Sequence, residues 1–168
     1  MPESELEFVP VREPEHIAEL ANFADGIFHE YFSTLHSPEK VDYLSSYLLG
    51  TQTLIREIAD EGYEFYFVDL DGEHVGFIGI QPREDCLWLS KLYLAGEQRG
   101  KGYGRQEFEF VKQRARDYGY GKIQLTCARD NEGSLAVYEH LGCTILESID
   151  TDVGEGIQMN DYLIEYKL

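Results

Sequence analysis

One short segment constrains this chain more than any other: Arg99-Gly100-Lys101-Gly102-Tyr103-Gly104, glycine-rich and basic. It lies between an apolar run, Leu87 to Leu94, and a helical stripe of Phe108, Val111, Ala115 and Tyr118. The order predicted is strand, glycine turn, helix. Glycines let a backbone approach a ligand closely, and the first N–H groups of a helix have no partner within it. The positive end of the helix dipole adds attraction, so the segment predicts a cradle for a phosphate.

The spacing excludes two common phosphate loops. A P-loop needs Gly, four residues, then Gly-Lys-Ser/Thr, and no hydroxyl residue stands at the required place after Lys101. A dinucleotide fingerprint needs G-x-G-x-x-G, and its third glycine would fall on Arg105 or Glu107. What fits is Arg-x-x-Gly-x-Gly, read as Arg99, Gly102 and Gly104.

The flanking sequence reads as alternating strands and helices. Leu6 to Val11 alternates like a strand. Pro14 opens a helix whose face is Ile17, Leu20, Ala21, Ala24, Ile27, Phe28 and Tyr31. Ser37-Pro38 starts a second helix, which Gly50 breaks, and Leu54, Ile55 and Ile58 form a further helical stretch. Glu64–Leu70 and Glu73–Gln81 form a hairpin about Asp71-Gly72. Lys122–Ala128 is a strand, Asp130 or Asn131 caps a helix that Gly142 ends, and Thr144–Asp150 and Asp161–Lys167 are the last strands, with a loop at 151–160.

Charge and composition narrow the function. The net charge is −18, which argues against nucleic acid as a partner. Residues 91–122 hold eight of the fourteen basic residues and only four acids, so the remainder carries −22. A basic patch on an acidic body suits an anionic cosubstrate beside a cationic acceptor. No apolar stretch approaches the roughly 20 residues of a membrane span. The acidic N-terminus lacks a signal pattern, so a cytoplasmic protein without a membrane partner is expected. Cys86, Cys127 and Cys143 lack metal-ligand spacing, so they are expected to be reduced and largely buried, and no metal is expected.

The loop resembles the acetyl-CoA loop of the GNAT superfamily of N-acetyltransferases, Gln/Arg-x-x-Gly-x-Gly/Ala. A second element agrees. Asn131 through Gly142 is similar to the family's Asn-x-x-Ala-x-x-x-Tyr-x-x-x-Gly-Phe signature, with Ser134 for Ala and Cys143 for Phe. The resemblance implies one α/β domain over 1–168: a mixed, twisted sheet with helices on both faces, in the order βααβββαβαββ. It implies acetyl-CoA as cosubstrate, held by Arg99, Gly100, Lys101, Gly102, Tyr103, Gly104 and Arg105, by the strand at Leu92, Tyr93 and Leu94, and by Asn131 and Ser134. Tyr138 matches the tyrosine that protonates the departing thiolate. A bulge in the central strand would free the N–H groups of Leu92 and Leu94 for the acyl arm.

The general base is the missing part. Many relatives carry a glutamate two residues before the Leu92 position, where this chain has Ser90. Either a water chain serves instead, or a carboxylate arrives from elsewhere, with Glu30 and Glu84 or Asp85 expected near the acceptor groove. Phe28-His29-Glu30-Tyr31-Phe32, His36-Ser37-Pro38-Glu39 and Tyr43-Leu44 resemble the helix pair of PaiA-type polyamine acetyltransferases. That implies a polyamine acceptor contacting Phe28, Glu30 and Tyr31. Acetylation of a protein N-terminus, a lysine or another small amine, and a non-catalytic acyl-CoA-binding module, are the alternatives, and a homodimer stays open.

Overall fold

The computed structural model describes residues 5–168; the first four residues of the acidic N-terminus lie outside it. Strand β1 (Glu7–Pro10) is followed by three helices, α1 (Pro14–Phe32), α2 (Pro38–Leu49) and α3 (Thr51–Asp60). Then come β2 (Glu64–Leu70), β3 (Glu73–Pro82) and β4 (Leu87–Leu94), helix α4 (Tyr103–Tyr118), β5 (Lys122–Ala128), α5 (Glu132–His140), β6 (Thr144–Asp152) and β7 (Gln158–Lys167). One sheet holds all seven strands in the order β1-β2-β3-β4-β5-β7-β6.

Local chemistry explains most boundaries. Ser37 caps α2 by accepting a hydrogen bond from the Lys40 N–H at 3.2 Å, with Pro38 in the first turn. Asp71 and Gly72 both take positive φ, 51° and 83°, as the tight β2–β3 turn requires. Gly50 is extended, so α2 and α3 are separate helices and the chain has one helix more than the family order predicts. The β6–β7 hairpin is longer than expected. Pairing continues to Asp152↔Gln158, because the reversal fits into residues 153–157, where Gly154 and Gly156 have positive φ.

The sheet separates two apolar layers. On one face α1–α3 pack Leu20, Phe28, Val41, Leu44 and Leu54 against Phe65, Phe67 and Phe77. On the other, Phe108, Val111 and Ala115 of α4 meet Ile78, Leu89, Ile123 and Leu125. Tyr118 does not join that stripe: it is 43% exposed and donates its hydroxyl to Glu64. Glu107 takes an inner position instead, at 1% exposure.

The sheet opens where the cosubstrate was expected. β4 and β5 pair in parallel only over Leu87–Leu89 and Ile123–Leu125, whereas β4 stays paired with β3 as far as Leu94. Beyond Leu89 the two central strands diverge. The β3–β4 register steps from Ile80↔Leu89 to Gly79↔Lys91, which leaves Ser90 as the extra residue of a bulge at the fork.

Candidate active site

The loop after β4 leads into a helix N-terminus, the arrangement expected from the spacing. Gly100 and Gly102 have φ of 77° and 86°, and Gly102 is the left-handed residue from which α4 starts. The Gln106 N–H is the first to bond back, reaching Gly102 O at 3.3 Å. The amides before it in that turn have no carbonyl within the helix to meet, and they point out of its N-terminus. Lys101 and Arg105 are exposed beside them, with Tyr103 and Gly104 half-buried.

Arg99 turns away from the cradle. Its guanidinium donates to Leu94 O at 3.3 Å and to Glu30 Oε1 at 3.2 Å, and it lies 3.7 Å from the centre of the Tyr31 ring. Arg99 therefore ties the loop to α1. Glu30 is held in that contact and does not line the cleft described next.

A cleft of about 500 Å³ fills the fork. Leu92, Tyr93, Asn131, Ser134 and Tyr138 line it from the sheet and α5, and Phe28, Tyr31 and Leu44 from α1 and α2. Leu94 is buried beside it, at 5% exposure. The backbone phase of β4 follows from one bond: the Ala95 N–H donates to Val75 O at 2.8 Å. Antiparallel pairs alternate, so Tyr93 and Lys91 also face β3, while Leu92 and Leu94 turn their N–H and C=O groups toward the gap. The fork thus aims the Leu92 amide at the cleft, while the Leu94 amide faces the Tyr31 hydroxyl.

Tyr138 sits on α5 across that gap. Burial, together with its neighbours Cys127 and Tyr93, raises its phenol well above the ordinary value, so the hydroxyl keeps its proton throughout the neutral range. Asn131 accepts the Ser134 N–H at 3.2 Å and so caps α5, which leaves its amide NH₂ for a ligand. Cys86 and Cys127 are buried free thiols, and Cys127 is pushed up to about 12 by burial, which suits no nucleophile.

The wall of the cleft on β4 holds one further polar group. Lys91 follows the bulge, lines the cleft, and places Nζ 2.9 Å from Ser90 Oγ. Burial pulls its ammonium below the ordinary lysine range, with Glu57 of α3 acting weakly the other way. Glu57 is itself raised by burial, and its Oε1 is buried without a hydrogen-bond partner. The sequence signal was a lone cation in an otherwise apolar central strand, Leu87 to Leu94. Glu84 and Asp85 stand in the exposed β3–β4 turn, where Asp85 pairs with Lys122 at 3.5 Å, and neither reaches the cleft.

The forked mixed sheet opens beside the N-terminus of α4, whose unpaired amides suit an anion. The comparisons with known proteins specify it. The profile of the acetyltransferase (GNAT) family matches residues 23–143, and the chain belongs to that family. It is 26% identical over 163 residues, 92% of this chain and 91% of the relative, to the N-acetyltransferase of the pepI 3′ region of Lactobacillus delbrueckii subsp. lactis. It is 30% identical over 105 residues to the N-acetyltransferase YjgM of Escherichia coli, covering 60% of this chain and 61% of that one. The crystal structure of PaiA N-acetyltransferase from Thermoplasma acidophilum in complex with coenzyme A superposes with a TM-score of 0.78 at 18% identity, covering 98% of this chain and 99% of that one. The protein is an N-acetyltransferase of the GNAT family with acetyl-CoA as cosubstrate.

Proposed function

We propose that the enzyme transfers the acetyl group of acetyl-CoA directly to a primary amine within a ternary complex. The observation that carries this reading is the convergence of the gap-facing Leu92 amide and the Tyr138 side chain on one cleft beside the N-terminus of α4. The amides of residues 100–105 hold the diphosphate. The Asn131 NH₂ meets the pantetheine arm near Ser134. A free N–H of β4 donates to the acetyl oxygen as charge develops on it. The amine attacks the carbonyl carbon, the C–S bond breaks, and Tyr138 gives its proton to the sulfur.

A polyamine is the first acceptor to test. Support comes from the resemblance of the α1–α2 sequence to PaiA-type enzymes, from the PaiA neighbour, and from the −22 charge outside residues 91–122. Phe28, Tyr31 and Tyr93 give the cleft an aromatic wall for an alkyl chain. The test is thiol release from acetyl-CoA with spermidine, spermine, lysine, an N-terminal peptide and an aminoglycoside. Amine-dependent release with a saturable acceptor is expected. Tight coenzyme A binding with no release for any amine would make the protein a non-catalytic acyl-CoA-binding module.

A further inference from the structure

We propose that Lys91 is the general base of the transfer, held by Ser90, and that it stands in for the glutamate absent from this strand. The inference rests on the direct-transfer reading above. Its geometry is local: Ser90 is the bulge residue at the fork, Lys91 follows it, and Nζ lies 2.9 Å from Ser90 Oγ and 3.4 Å from Ser90 O. Both residues line the cleft that Leu92 and Tyr138 also line.

Among the described residues Lys91 makes no ion pair. Among the described residues Glu57 is the one charged group that acts appreciably on it, and Glu57 does not come within ion-pairing distance. His36 and Lys40 line the α1–α2 side of the cleft, and Arg129, Asp130 and Asp161 its far side. Half-buried in the cleft wall and without a paired carboxylate, Lys91 gives up its proton more readily than a free lysine. In its neutral form Lys91 does not repel a cationic acceptor, and its lone pair takes a proton. No carboxylate need enter the site.

The proton count closes. The bound ammonium gives one proton to Nζ, and the free amine forms the C–N bond. As the C–S bond breaks, Tyr138 protonates the sulfur and recovers the second proton lost by the former amine. Lys91 then releases its proton to water. The products are amide, thiol and one solvent proton, the stoichiometry required for an ammonium substrate. Tyr138 is the acid and Lys91 the base, two groups whose surroundings suit them to opposite tasks. Ser90 is a positioning residue.

The test combines a titration with pH profiles. The six lysines are reductively ¹³C-dimethylated, and the Lys91 resonance is identified by its loss in Lys91→Arg. It should titrate below the other five; an ordinary value overturns the proposal. This arm needs no acceptor, so it stays readable if the amine panel shows no turnover and the parent reading fails. With the panel member of highest kcat/KM, Lys91→Met and Lys91→Arg should both lose about 100-fold at pH 7, within the usual range for a general base. Both should regain at least about tenfold near pH 9.5, where more acceptor is already neutral. Trimethylamine, a base that cannot form a stable amide, should partly rescue Lys91→Met. Activity retained by Lys91→Arg, or a loss independent of pH, would mean that Lys91 anchors a substrate by its charge, and the base role would fall. Ser90→Ala should move the acidic limb of the pH profile; an unchanged limb removes the positioning role.

Discussion

Replacing Gly104 with valine separates binding from folding. Gly104 is the second residue of α4, and a Cβ built there meets only Leu94 Cδ1, at an ordinary 3.9 Å. Its φ is not positive, unlike those of Gly100 and Gly102, so valine is free of backbone strain. Valine is a slightly better helix residue than glycine, by a few tenths of a kcal/mol. The fold should therefore keep its melting temperature. The added methyl groups stand at the mouth of the cradle, where the diphosphate must come within hydrogen-bonding distance of bare amides. Hydrogen bonds to a charged acceptor contribute about 1.5–3 kcal/mol each. Forcing two of them apart costs about 3 kcal/mol at the lower bound, or over 100-fold in Kd at 1.4 kcal/mol per decade. Titration calorimetry with coenzyme A reads the loss, and a thermal melt without ligand reads the fold. Wild-type affinity in a folded Gly104→Val protein would refute the cradle. A protein that unfolds would refute the claim that the space is open.

Other outcomes follow from named contacts. Tyr138→Phe should lower kcat by about 100-fold at unchanged coenzyme A affinity, the mark of a transition-state role; parallel loss of both would indicate packing. Asn131→Ala removes the α5 cap and should cost about 1 kcal/mol in a denaturant titration, together with weaker coenzyme A binding. Glu107 is buried, its Oε2 has no partner, and burial holds its carboxyl well above the ordinary range. The native state therefore keeps a proton that the unfolded chain loses above its ordinary carboxylate value. The stabilising effect is complete below that value and falls as pH rises toward the folded one, by at most about 1.4 kcal/mol per pH unit. Glu107→Leu should be more stable at pH 8 and flatten the slope; equal slopes in melts from pH 5 to 8 would contradict this.

Much of the frame was legible because it rests on local rules. Asp71-Gly72 demands a hairpin, Ser37-Pro38 starts a helix, and Arg99-x-x-Gly102-x-Gly104 places a helix N-terminus after a strand. What escaped depends on which strands and helices face each other. Arg99 reads as a ligand residue in the motif, yet α1 brings Glu30 and Tyr31 to it. Tyr118 leaves its expected place in the α4 stripe because its hydroxyl donates to Glu64, while the packing of α4 on β3 and β4 buries Glu107. Lys91 could be seen only as an oddity in an apolar run. Its meaning needs the bulge at Ser90 and the divergence of β4 from β5, which are properties of pairing and not of the strand alone.

Direct transfer itself is best tested by mass balance. The enzyme is mixed with acetyl-CoA, with and without spermidine or the best acceptor of the panel, and the intact protein, free coenzyme A and acetylated amine are measured together. The account predicts an unmodified protein throughout, and coenzyme A and acetylated amine formed one to one only when amine is present. Acetylated protein that passes its group to amine, or coenzyme A released without amine at the same rate, would contradict it.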